Sequence, residues 1–138
     1  MAPSTPRRAH LTHVARPCAD MDTTIAFYRD FVGLHVVHER EDDGVRVAWL
    51  GEKQTDNDFV IVFIAVAVPE AQAHFADHLG YDVASRGEVD AIAARAEDLG
   101  ILRVPATDGG AVIGYYCMVA DPDGHLVEFS HGQRIDVP

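Results

Sequence analysis

Apolar and polar positions follow the same order of periods twice along the chain. His10 to Arg16 alternates apolar with other side chains, which predicts a short strand ending at Pro17. Ile25, Phe27, Tyr28, Phe31 and Val32 then form one stripe at helical spacing. Asp20 or Asp22 can cap that helix, and Gly33 stands where a helix ends in a left-handed residue. Leu34 to Arg40 and Val45 to Leu50 read as strands joined by an Asp43-Gly44 hairpin turn, and after a polar loop Phe59 to Val68 reads as a fourth. The apolar run from Phe59 to Pro69 is too short to span a bilayer and reads as a strand buried on both faces.

The second half repeats that order. His78 to Ala84 is a predicted strand, followed by a helix from about Glu88 to Leu99 with Ser85 as its cap and Val89, Ile92, Ala93, Ala96 and Leu99 turned inward. Strands are expected over Ile101–Pro105, Tyr115–Ala120 and Leu126–Ser130, separated by turns at Asp108-Gly109-Gly110 and Asp121-Pro122-Asp123-Gly124. His13 and His78, each at the start of a strand, lie 65 residues apart, and the helix-ending Gly33 and Gly100 lie 67 apart. A near-constant offset marks internal duplication. The expected fold class is therefore α+β: two βαβββ units, residues 10–68 and 77–132, in one domain spanning 10–133. Residues 1–9 form a disordered N-terminal segment, and the link from Pro69 to Ala76 joins the two units.

Length and composition narrow the function. A chain of 138 residues suits one well-packed domain, and 48% hydrophobic with 24% charged residues is an ordinary globular balance. A net charge of −11 argues against nucleic acid and anionic membrane surfaces as partners, because both demand a basic patch. Two cysteines, Cys18 and Cys117, are too few for a disulfide scaffold, so a reduced cytoplasmic chain is expected, with Cys117 a small buried hydrophobe and Cys18 in a loop near the cleft. The polar start, MAPSTPRRAH, carries no apolar targeting segment.

Strand periodicity locates the candidate chemistry. Leu79, Tyr81 and Val83 share the face that packs on a helix, which turns His78, Gly80, Asp82 and Ala84 toward a cleft or solvent. In the last strand Val127 and Phe129 point one way, and Leu126, Glu128 and Ser130 the other. A carboxylate set between Val127 and Phe129 is costly to bury unless it is paired or binds a cation. Two strand histidines and a strand carboxylate would suffice to hold a divalent metal with open positions. Arg46 and Arg103 are placed to meet a substrate carboxylate or to stay solvated.

Several stretches together resemble the vicinal oxygen chelate superfamily, which includes glyoxalase I, fosfomycin-resistance thiol transferases, methylmalonyl-CoA epimerase, extradiol dioxygenases and bleomycin-resistance proteins. They are His13-Val14 opening a strand, the run from Ile25 to Leu34, His78 opening the second unit, and the run from Asp121 to Phe129. The resemblance covers about Leu11 to Gly132. It implies that His13, His78 and Glu128 ligate one divalent metal, Mn, Fe, Ni or Zn. It further implies a homodimer with composite sites, in which His13 comes from one chain and His78 and Glu128 from the other.

The chain departs from each member in turn. Glyoxalase I and the epimerases place a fourth ligand in the strand that here reads Phe59 to Val68, where nothing can ligate. Positions that bind the phosphonate in fosfomycin-resistance enzymes fall on Asp108, Ala111 and Val112, and an active-site tyrosine of those enzymes and of the dioxygenases falls on Met118. The resemblance then implies a metal-dependent, glyoxalase-like lyase or isomerase acting on a small oxygen-chelating substrate. Glu128 would be both ligand and catalytic proton carrier, and Trp49, Tyr116 and Met118 would wall an apolar pocket. Sequestration of a ligand without turnover, as in bleomycin resistance, and Fe(II) extradiol-type dioxygenation are the alternatives.

Overall fold

The computed structural model describes residues 9–68 and 74–136; the expected disordered segment, apart from residue 9, and much of the link from Pro69 lie outside them. Unit one runs β1 (His13–Cys18), α1 (Met21–Phe27) continuing into a π-helical turn (Tyr28–Val32), β2 (His35–Asp42), β3 (Val45–Gly51) and β4 (Val60–Ala65). Unit two runs β5 (His78–Asp82), α2 (Arg86–Asp98), β6 (Leu102–Asp108), a short α3 (Gly110–Ile113), β7 (Tyr115–Ala120) and β8 (Leu126–His131). Each unit forms its own four-stranded sheet, in the orders β1-β4-β3-β2 and β5-β8-β7-β6. In both, the first strand runs parallel to the last and the other neighbours are antiparallel. These are the two βαβββ units that the repeat predicts, and His13 and His78 stand at equivalent points in them.

Local chemistry accounts for the element ends. Asp20 and Ser85 cap the two long helices, each accepting a hydrogen bond from a first-turn backbone N–H, that of Thr23 at 2.9 Å and that of Glu88 at 3.1 Å. Such a cap contributes about 1 kcal/mol. Gly33 closes the first helix at φ +86°, a left-handed conformation that costs other residues a steric penalty.

Several local features differ from expectation. β1 continues through Pro17 to Cys18, because β1 is an edge strand and the missing N–H of a proline is tolerated there. Cys18 is consequently buried at the strand end rather than lying in a loop. The run Asp108-Gly109-Gly110 leads into the short helix α3 instead of making only a turn. In β4 the consecutive residues Ile61, Val62 and Phe63 are buried, which covers the middle of the strand on both faces as expected, whereas Val60, Ile64 and Ala65 are half-buried and Val66 beyond the strand is exposed.

One apolar cluster draws on both units, with Tyr28, Leu50 and Phe63 from the first and Val89, Val127 and Phe129 from the second. Polar links reinforce it. The Tyr28 hydroxyl donates to Asp121 Oδ2 at 2.8 Å, and the Ala19 N–H to Asp123 Oδ1 at 3.1 Å. From α2, Arg95 donates to the Asp30 carbonyl at 3.2 Å and lies over the Phe31 ring, 4.5 Å from its centroid. The Asp-Pro-Asp-Gly turn therefore does more than reverse the chain. It pins the first helix of one unit to the last hairpin of the other.

Candidate metal centre

Both sheets pack one face on their helices and turn the other outward, and the registers of the two outward faces match. In the second sheet one cross-strand row holds Gly80, Glu128 and Met118, flanked by the row of His78, Leu126 and Ala120 and by the row of Asp82, Ser130 and Tyr116. In the first sheet the equivalent rows are Ala15, Val62 and Trp49; His13, Val60 and Gly51; and Pro17, Ile64 and Val47. The pseudo-symmetry thus superposes His13 on His78, Val62 on Glu128 and Trp49 on Met118. Only the second sheet has a carboxylate in the middle of its outward face.

Glu128 is 5% exposed among Met118, Leu126 and Ser130. Leaving a carboxylate in such a setting without a partner costs several kcal/mol. Its nearest polar neighbour is His78, whose Nε2 lies 3.3 Å from Glu128 Oε2, a contact that compensates the carboxylate when Nε2 carries a proton or when both atoms face one cation. His78 Nδ1 lies 2.7 Å from the Phe75 carbonyl oxygen. A carbonyl oxygen only accepts, so Nδ1 carries the hydrogen and the ring is held with Nε2 toward the carboxylate. A backbone carbonyl fixing one nitrogen while the other faces an anionic oxygen is the arrangement that metal-binding histidines use.

Gly80 supplies the remaining space. A Cβ there would sit 3.3 Å from Glu128 Oε2, closer than such contacts usually run, so any side chain would press on the carboxylate. A nitrogen donor beside a carboxylate fits a divalent cation of the borderline series.

His13 lies apart from this pair. It is exposed on the first sheet, with Nδ1 2.9 Å from the Thr12 hydroxyl and Nε2 unengaged among the described residues. No group of three His, Cys, Asp or Glu side chains able to hold a metal occurs among the described residues. Within one chain the structure therefore brings together His78, Glu128, Met118 and half-buried Tyr116 on one sheet face, and His13 with Trp49 on the equivalent face of the other.

Two of the cavities along the first sheet share Trp49. One, of about 270 Å³, is lined by Thr12, His13, Arg40, Trp49, Val60 and Val62. The other, of about 570 Å³, shares Thr12, Trp49 and Val60 and adds the loop from Gln54 to Phe59. Trp49 is 37% exposed between them.

Gly80 and Phe75 enter the site through space and a backbone atom, which residue-type reasoning does not weigh. Arg40 was hidden for a different reason. A register shift between Val36 and His38 sets His38 opposite Trp49 and Arg40 opposite Val47, which puts both on the outward face. Without that bulge they would face the helix.

Neither cysteine belongs to this site. Both thiols are fully buried, and burial raises their pKa, that of Cys117 to about 11. Arg46 is committed to Asp22 and Glu39, an ion pair across the helix-facing side of the sheet.

Comparison with known proteins agrees with this architecture. An uncharacterized protein of Pseudomonas aeruginosa is 39% identical over 126 residues, covering 91% of this chain and 90% of the relative. A mutant of the fosfomycin resistance protein FosX from Listeria monocytogenes, solved with Mn(II) and 1S,2S-dihydroxypropylphosphonic acid, superposes with a TM-score of 0.72 at 18% identity over 94% of this chain and 97% of that one. Trypanothione-dependent glyoxalase I of Leishmania major gives 0.67 at 18% identity, over 90% and 87%. At such identities the structural matches speak to the fold alone. The family model of the glyoxalase, bleomycin resistance protein and dioxygenase superfamily matches residues 10–129, which takes in His13, His78 and all but the last strand's end. With duplicated βαβββ units, sheet faces in matched register and a family match over nearly the whole chain, this protein belongs to the Glyoxalase/Bleomycin resistance protein/Dioxygenase superfamily.

Proposed function

We propose that the protein is a metal-dependent, glyoxalase-like enzyme of lyase or isomerase type, acting on a small organic molecule that chelates through neighbouring oxygens. The observation that carries this reading is the buried Glu128 carboxylate, 3.3 Å from a histidine whose other nitrogen is engaged by a backbone carbonyl. His78 and Glu128 of one protomer and His13 of its partner hold one divalent ion, Mn, Fe, Ni or Zn. On the outward face of the first sheet Trp49 is exposed and Val60 and Ile64 are only half-buried in a single chain, which supports a homodimer in which that face closes over the partner's second sheet. When bound, the metal supplies Lewis acidity to a substrate oxygen.

The protein's own groups do the rest. Glu128 is the catalytic proton carrier: its carboxylate takes a proton from the substrate carbon beside a carbonyl and returns it to the neighbouring atom, which balances as an isomerisation. Burial among Met118 and Leu126 keeps competing water away from that transfer. Met118 and Tyr116 wall the pocket on the side of Glu128, and Trp49 walls it on the side of His13. The phenol of Tyr116 stands in the row of Ser130, one row from the carboxylate, where it can orient a substrate oxygen.

The test is anaerobic turnover of a panel of α-oxo and α-hydroxy compounds by Mn²⁺-loaded protein, beside the Glu128→Gln variant. Product without oxygen, lost in the variant, supports the reading. Strict dependence on oxygen points instead to dioxygenation. Ligand binding indifferent to EDTA and to His78→Ala, with no turnover, overturns it in favour of sequestration.

A further inference from the structure

The smaller cavity on the first sheet brings three kinds of chemistry to one volume: the imidazole of His13, the guanidinium of Arg40, and an apolar wall of Trp49, Val60 and Val62. Arg40 is 41% exposed and lies over the Trp49 ring, 5.8 Å from its centroid. A guanidinium has five N–H donors. Among the described residues Arg40 uses one, from Nε to Asp42 Oδ2 at 2.8 Å. Its two terminal amino groups therefore remain for water or a ligand, in the planar pair that matches a carboxylate.

We infer that this cavity is the substrate-recognition pocket and that it selects a carboxylate carried on an aromatic or apolar body. The carboxylate takes Arg40 Nη1 and Nη2, the body lies across Trp49, Val60 and Val62, and the chelating oxygens point toward His13. The last of these placements rests on the metal-dependent reading above; the first two stand on the cavity alone.

Charge limits the ligand to a monoanion. Asp42 already offsets part of the one guanidinium, and Asp56 and Asp58 line the adjoining cavity. A doubly charged phosphonate would need more cationic donors than the described lining offers. The net charge of −11 opposes any anion at long range, but at physiological salt that field is screened within about 8 Å, so the local guanidinium decides. If Arg40 instead serves only its exposed ion pair with Asp42, the cavity will show no preference for an anion.

Trp49 is the chain's one tryptophan, so its fluorescence reads this pocket without a label. Protein stripped of metal with a chelator is titrated with phenylacetate and, separately, with phenylacetamide, which has the same body and no charge. Phenylacetate is expected to change Trp49 emission saturably and to bind about tenfold tighter than the amide, the gain from one charge-assisted pair. Arg40→Gln should abolish that difference, chiefly by weakening phenylacetate. Arg40→Lys, which keeps the charge without the planar fork, should retain a few-fold preference and serves if the first variant fails to fold. Equal affinities in the parent protein, a preference that survives Arg40→Gln, or no saturable signal from either compound overturns the inference. Because no metal is present, the outcome is separate from the metal reading, which fails instead if Mn²⁺ binding does not depend on His78 and Glu128.

Discussion

Replacing Tyr28 with phenylalanine isolates the contact that holds the two units in register. The ring is fully buried, 4.8 Å from the Phe63 ring and 4.9 Å from that of Phe27 between centroids, and phenylalanine keeps that packing. What is lost is the hydrogen bond from the hydroxyl to Asp121 Oδ2. Asp121 is 4% exposed, and its other oxygen, Oδ1, already accepts the N–H groups of Asp123 and His125 at 2.9 Å each. Oδ2 then faces the interior with its one described donor gone. Hydrogen bonds to charged groups contribute about 1.5–3 kcal/mol, and for a chain of this size each kcal/mol moves Tm by roughly 3–5 °C. Tyr28→Phe should therefore destabilise by about 2 kcal/mol and lower Tm by roughly 6–10 °C, read by circular dichroism and urea unfolding with an unchanged m-value. Tyr115→Phe, which removes an exposed bond to Asp90, should leave the midpoint nearly unchanged. A Tyr28→Phe midpoint within 1–2 °C of the parent, roughly the scatter of surface substitutions, would refute the role assigned to this link.

Three further outcomes follow from the geometry. Gly80→Ala presses a methyl group on Glu128 Oε2 and should weaken Mn²⁺ binding about tenfold or more by equilibrium dialysis, with little change in Tm. Asp20 has its pKa lowered by the hydrogen bonds of Thr23, so its cap is worth most above the usual carboxylate range and is lost as pH falls through the depressed value. The stability advantage of the parent over Asp20→Ala should hold above about pH 4 and shrink below it, whereas that of Asp20→Asn should not. Both thiols should be unreactive toward Ellman's reagent in native protein and should titrate as two per chain in denaturant.

Periodic features were legible in the sequence because they are local. Alternation in β8 placed Glu128 on the outward face, spacing placed the buried Val89 and Ala96 inward on α2, and Asp20, Ser85 and Gly33 ended their helices as side-chain and backbone chemistry requires. Pro17 misled because proline stops a strand only where its N–H is needed, and an edge position is known only once the sheet is assembled. Arg40 was illegible because a single bulge in β2 inverts the face of every residue beyond it. The fit around Glu128 was also beyond periodicity, since it depends on a missing Cβ at Gly80 and on the Phe75 carbonyl.

The proposed metal centre joins His78 and Glu128 of one protomer with His13 of its partner. Chains carrying His13→Ala and Glu128→Ala, each with a different affinity tag, can be refolded together and the hybrid dimer purified through both tags. In the hybrid one site carries both substitutions and the other carries neither. Equilibrium dialysis against Mn²⁺ should then find one tight ion per hybrid dimer, and none in either parent variant. A hybrid that binds no more tightly than its parents would contradict the shared site, and tight binding retained by Glu128→Ala alone would contradict the ligand assignment itself.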